Sequence, residues 1–242
     1  MPALHGDITD HLGARIASGD LPTGAVLTLA RLEDEYDASR TVVREAVRVL
    51  ESMGLVESRR RVGITVRPRE DWDAFAPQLI RWNLQGSLRQ QQLESLMEVR
   101  VAVEPTAARL AARRATPTQR AELRRLAGRL SELGSAGLGA SDEFHAVDVD
   151  FHALLLRASG NPQLSALCEP IREVLEGRAR LGMTPAVPAD GTLELHVEVA
   201  EAIARSAAQE AETRSRAHMM LVWNEIHAEE GRADQRAASA AS

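Results

Sequence analysis

The chain has 242 residues, 44% hydrophobic and 26% charged, with a formal net charge of −6. That composition supports one or two packed domains and excludes a disordered chain, while the acidic balance excludes a uniformly basic nucleic-acid coat. Aromatics are 3% and every basic residue is Arg, so the core must rest on Leu, Val, Ala and Ile. The opening MPALHGDITD lacks the charged and apolar regions of a signal peptide. No run approaches the ~20 apolar residues of a membrane span, and a cytoplasmic protein is expected. Residues 4–18 read as a helix ended by Gly19 and LPTG. A short helix follows over 29–36, then DAS turns the chain and Ser39 caps a third helix from Arg40 to Met53, closed by Gly54. LVES and GITV are β-prone runs joined through RRRV, which predicts a hairpin. Three helices and a terminal β-hairpin make a winged helix-turn-helix, assigned to residues 1–68, with the break at VRPRED.

Beyond that break the patterns are helical. Helices are predicted near 74–85, 88–114, 117–133, 140–159, 161–181, 191–206 and 208–229. Their short links imply antiparallel neighbours, so residues 72–230 are expected to form an all-α antiparallel bundle. The fold class is therefore mainly α. Residues 231–242, GRADQRAASAAS, are Ala/Ser-rich and expected to be a disordered tail. The single Cys168 rules out an internal disulfide and fits a reducing compartment.

From Ser39 to Arg69 the chain holds eight Arg and three Glu, a local balance of +5. Val43, Ala46, Val47, Leu50 and Leu55 can face a core, which leaves Arg40, Thr41 and Arg44 on another face in the first two turns. Early positions of a recognition helix reach base edges in the major groove, where Arg can bind guanine bidentately and Thr can touch a thymine methyl or a phosphate. Arg59, Arg60 and Arg61 at the hairpin tip can reach phosphates or the minor groove, and Gly63 permits the tight wing turn. A solvated basic helix beside a structural hairpin would show the same charge; the order of elements favours DNA.

A second constellation starts at DVDFH. Asp148 and His152 are four apart, hence on one helical face, among Phe144, Phe151 and Leu155. His196 lies on the apolar stripe of Leu193, Ala200 and Ile203, and His218 has Leu221 and Val222 as inward neighbours. A lone histidine on an apolar face is usually a core residue, and Asp-x-x-x-His alone is weak. Four inward-facing ligand types on three helices suit a divalent metal: Zn²⁺ first, with Ni²⁺, Mn²⁺ or Fe²⁺ as alternatives. Arg100 falls in the stripe of Leu93, Leu96, Val103, Ala107 and Leu110. A buried guanidinium needs an oxyanion, either from a ligand or from an internal salt bridge with Glu104 or Asp148. His5, His11, His145 and His227 fit no such pattern, and Trp72 and Trp82 in DWDAFAPQLIRWNLQG are read as core or docking residues.

SRTVVREAVRVLESMGLVE followed by GITV resembles the DNA-binding domain of GntR-family bacterial transcription regulators. Val42 stands where that family commonly has proline, and in LARL the family's common arginine falls on Ala30, with Arg31 one place along. The helical part, with EVRVAVEPTAARLAA and the Asp148, His152, His196, His218 series, resembles the FCD effector-binding domain of the FadR-type branch. The resemblance implies that Arg40, Thr41 and Arg44 contact DNA, that the Asp and three His hold a metal, and that Arg100 meets an acidic effector. The expectation is a one-component regulator, a repressor by the commoner logic with activation left open, and not an enzyme. It would be a homodimer on a pseudo-palindromic double-stranded operator, answering to a small carboxylate such as a sugar acid. A metal-dependent hydrolase or lyase acting on such an acid, a direct metal-ion sensor, and a purely structural metal are the alternatives.

Overall fold

The structure, a computed structural model, describes the backbone of residues 5–240 and side chains over 6–226. His5 and His227 lie outside the described side chains. The chain divides into two compact units, Met1–Leu93 and Glu94–Ser242.

The first unit is a winged helix. Helices α1 (His5–Ser18), α2 (Leu29–Tyr36) and α3 (Arg40–Ser52) are joined by three short strands, β1 (Val26–Leu27), β2 (Val56–Arg59) and β3 (Gly63–Val66). The strands form one antiparallel sheet in the order β1-β3-β2. The expected hairpin is β2–β3, with Arg59 opposite Gly63; β1, which pairs Val26 with Thr65 and Leu27 with Ile64, is an addition. The Ser39 hydroxyl accepts a bond from the Val42 amide at 3.5 Å and so caps α3, which buries Val43, Ala46, Val47 and Leu50. Gly63 has φ +119°, and a Cβ there would stand 2.5 Å from the Leu27 carbonyl oxygen, so only glycine lets β1 lie against the wing.

The first compact unit runs on past residue 68, the expected end of the winged helix. After a 3-10 turn at Arg69–Asp71, helix α4 (Pro77–Gln85) belongs to the first unit. Ala76, Leu79 and Trp82 join the same core as Ile8, Leu12 and Ile16 of α1. Trp82 lies against Gly13, where a Cβ would come within 2.2 Å of the indole, and its Nε1 donates to Asp10 at 3.2 Å. Trp72 flanks this core, its Nε1 donating to the Arg67 carbonyl at 3.0 Å. Trp82 is thus a core residue, and Trp72 packs against that core.

The helix α5 (Arg89–Arg114) leads into the second unit, which continues with α6 (Pro117–Ser135), α7 (Asp142–Ala158), α8 (Pro162–Ser165), α9 (Cys168–Arg180), α10 (Thr192–Ala204) and α11 (Ala208–Ala240). A large core of Ala and Leu, with Phe144 and Phe151, draws on α5, α6, α7, α9, α10 and Ala211 of α11. The helix expected over 161–181 is two helices. Pro170 has no N–H to donate one turn back, so it is accommodated in the first turn of a new helix, α9. The final helix runs past Gly231 to Ala240, through the stretch expected to be a disordered tail; Ala241 and Ser242 lie outside the described residues. No helix among the described residues is long and apolar enough to cross a membrane.

Candidate functional site

In the first unit, Arg40, Thr41 and Arg44 are exposed on α3, opposite its buried face. Arg40 lies 3.8 Å from Glu33, a loose pair at a solvated side chain that leaves the guanidinium available. Arg59, Arg60 and Arg61 are exposed along the wing; Arg59 pairs with Glu57 at 2.7 Å, and Arg61 takes φ +65° at the turn. The recognition helix and wing thus present the predicted arginines to solvent.

In the second unit, α7, α10 and α11 bring His152, His196 and His218 together. One ring nitrogen of each lies within 4.8 Å of the others, and all three are at most 3% exposed. The Asp148 Oδ1 stands 3.5 Å from His152 Nε2 and 3.3 Å from His196 Nε2. Asp148 differs from expectation in degree: its side chain keeps 19% exposure at the mouth of the site. His145 and His11 stay apart from the group; His11 meets the Tyr36 hydroxyl at 2.8 Å.

The partners of the other ring nitrogens fix the orientation of two of the rings. His196 Nδ1 is 2.9 Å from the Thr192 carbonyl, an acceptor only, so Nδ1 donates to it and Nε2 is the nitrogen turned toward Asp148. That buried Nε2 has no hydrogen-bond partner among the described residues. His152 Nδ1 meets Glu104 Oε2 at 2.6 Å, a carboxylate behind the imidazole, and its Nε2 turns to the same space as that of His196. Carbonyl or carboxylate support behind ligating imidazoles is what metal sites use to orient them. Burial, with His196 and His152 alongside, holds His218 well below the ordinary histidine pKa, so it is in the neutral, ligating form. Burial opposes charge on Asp148, but His152 and His196 outweigh it and keep the carboxylate ionised. One Asp and three His are a donor set that fits a divalent ion of the Zn²⁺ type.

Arg100 is 1% exposed. Its Nε donates to Glu104 Oε1 at 2.5 Å and its Nη2 lies 3.2 Å from His152 Nε2, while Nη1 has only the Met97 sulfur at 3.8 Å. The internal salt bridge weighed as an alternative for Arg100 is therefore present. Glu104, fully buried, is disfavoured as an anion by desolvation, yet Arg100 and His152 hold its pKa at about 2. The same Arg100 lines a cavity of about 40 Å³ with Asp148, His152, His196 and His218, so its Nη edge faces the space above the ligating atoms.

The sequence reading missed the rest of that cavity. Arg178 of α9, Thr192 of α10 and Glu225 of α11 line it, and residues 181–191 cross it as a strap through Thr184, Pro185 and Pro188. The strap is tied by the Gly139 amide to the Ala186 carbonyl at 2.8 Å and by the Ala189 amide to Glu225 Oε1 at 3.1 Å. Thr192 had a visible signal, one helical turn before His196. The strap had none, being an irregular segment read only as a break.

Comparison with known proteins agrees with both halves. Residues 4–66 match the family described as bacterial regulatory proteins, gntR family, and residues 95–220 match the FCD domain. The chain is 30% identical over 196 residues to the galactonate operon transcriptional repressor of Escherichia coli K12, covering 79% of this chain and 83% of that one. It is 29% identical over 216 residues to the regulator LutR of Bacillus subtilis, covering 86% and 94%. Among solved structures, a GntR protein of Streptococcus agalactiae superposes with TM-score 0.51 at 26% identity over 90% of this chain and 98% of that one. With a winged helix that presents its arginines and an FCD domain later in the sequence, the chain belongs to the GntR family of bacterial regulators and is a DNA-binding transcription regulator, not an enzyme.

Proposed function

We propose that the protein is a homodimeric repressor that binds a pseudo-palindromic operator and releases it when a small carboxylate enters a metal-holding FCD cavity. The observation that carries the reading is the convergence of Asp148, His152, His196 and His218 on one buried cavity that Arg100 also lines. These four residues would hold the ion. When bound, it supplies a Lewis-acidic centre for a ligand oxygen. Arg100, with Nε committed to Glu104 and Nη2 beside His152 Nε2, would turn Nη1 to the other carboxylate oxygen. Relatives support an acid of the sugar-acid kind, since one of them is a galactonate operon repressor. A cavity of about 40 Å³ holds only a few waters, so such an acid enters by displacing the strap. The acid regulates only if the two DNA-affinity states differ in their affinity for it.

Fluorescence anisotropy on an operator fragment tests this with zinc-loaded and chelator-stripped protein, with and without galactonate, lactate or glycerate. The expected result is acid-dependent release that disappears without metal or in Arg100→Ala. Release by zinc alone would instead identify a metal sensor, and metal-independent release would remove the ion from the mechanism.

A further inference from the structure

Thr192 occupies the first position of α10, after Gly191 with φ +91°. Its backbone is fully used. The amide donates to the Ala189 carbonyl at 3.0 Å, and its own carbonyl receives His196 Nδ1 at 2.9 Å. Its side chain is not. Thr192 is 7% exposed, lines the cavity, and its Oγ1 is buried with no hydrogen-bond partner among the described residues. A buried hydroxyl left unsatisfied is costly, and buried polar groups nearly always find a partner. A water in the cavity can serve it while no ligand is bound. Its position is specific. It lies four residues before His196, on the same helical face, so the hydroxyl stands about one turn from the ligating nitrogen. Arg178, itself buried at 7% exposure, lines the same cavity.

We infer that the Thr192 hydroxyl is the specificity-determining contact of the cavity, and that it selects a hydroxylated carboxylate over the same acid lacking the hydroxyl. This rests on the proposed reading that a carboxylate binds at the four-residue site. An acid anchored by its carboxylate near His196 carries its next carbons along α10 toward Thr192, where a ligand hydroxyl replaces the water. A site built to bond a ligand hydroxyl rejects the analogue that lacks it, because its own buried group is then left unpaired. A purely apolar wall would not discriminate in this way.

The test is calorimetric titration of the zinc-loaded full chain with propanoate, lactate and glycerate. These three-carbon acids differ only in having no, one or two hydroxyls. Thr192→Val keeps the side-chain shape and the backbone carbonyl that orients His196; Thr192→Ser keeps the hydroxyl. Wild type should gain at least about tenfold in affinity at one hydroxyl step. Thr192→Val should cut that gain to within about twofold, by tightening propanoate and weakening the hydroxylated acid, and Thr192→Ser should restore it. An unaltered gain in Thr192→Val, or no gain in wild type, overturns the inference while the carboxylate site stands. If no acid binds wild type although a separate zinc titration shows the metal in place, the carboxylate reading falls and this inference falls with it.

Discussion

Glu104 shows how much chemistry one side chain can organise. Fully buried, it accepts from Arg100 Nε and from His152 Nδ1, so a single carboxylate holds both the guanidinium and one imidazole. Glu104→Gln keeps the shape but removes the charge. Its loss should weaken zinc binding by about 10- to 100-fold, the usual range for a residue behind a metal ligand. It should also destabilise the fold, because Arg100 is then a buried charge without its counter-ion. Competition with a chromophoric chelator reads the first effect and urea unfolding the second; an unchanged zinc affinity would make Glu104 a packing residue only. At this scale the sequence was informative about which residues converge and poor about their supports. Asp148, His152, His196 and His218 could be found because helical phase alone puts them inward. Glu104 was visible only as a possible partner of Arg100, since its bond to His152 spans 48 residues and no local spacing encodes it.

Among the elements, α3 is the proposed recognition helix. Its apolar positions recur so regularly that the helix, its Ser39 cap and its exposed arginines were all legible in advance. Arg44 is exposed in the second turn, with the buried Val43 and Val47 fixing the face it leaves open. Arg44→Ala should cost roughly 1–3 kcal/mol in specific operator binding if it reads a base, and relax the preference at one position. Anisotropy against the operator and single-base variants measures it; equal weakening on all sequences would reassign Arg44 to a phosphate. The elements that escaped prediction share a cause. Strand β1 is two residues long and exists only through its pairing with β3 far along the chain. The break between α8 and α9 depends on where Pro170 can be tolerated, and hydrophobic spacing runs straight across it.

For the molecule as a whole, the three histidines come from α7, α10 and α11, so an ion between them closes long stretches of chain. Zinc at a hundred times its dissociation constant should therefore raise unfolding free energy by about 2.7 kcal/mol, provided it binds only the folded state. Urea unfolding with and without zinc checks the figure, and His196→Ala should show no such gain; an equal gain in that variant would place the metal elsewhere. The two-unit plan was readable from composition, but its boundary was not. VRPRED marks the end of the wing, whereas Leu79 and Trp82 of α4 return to the first core. The strap over the cavity has a consequence in time. Under the proposed reading, an acid can enter or leave only when the links from Ala186 to Gly139 and from Ala189 to Glu225 give way. Arrival and departure then share one clock. A surge of acid briefer than the opening time passes unregistered, and acid already held outlasts a momentary fall in supply. The regulator would average its metabolite, answering to a sustained level and ignoring the flicker around it.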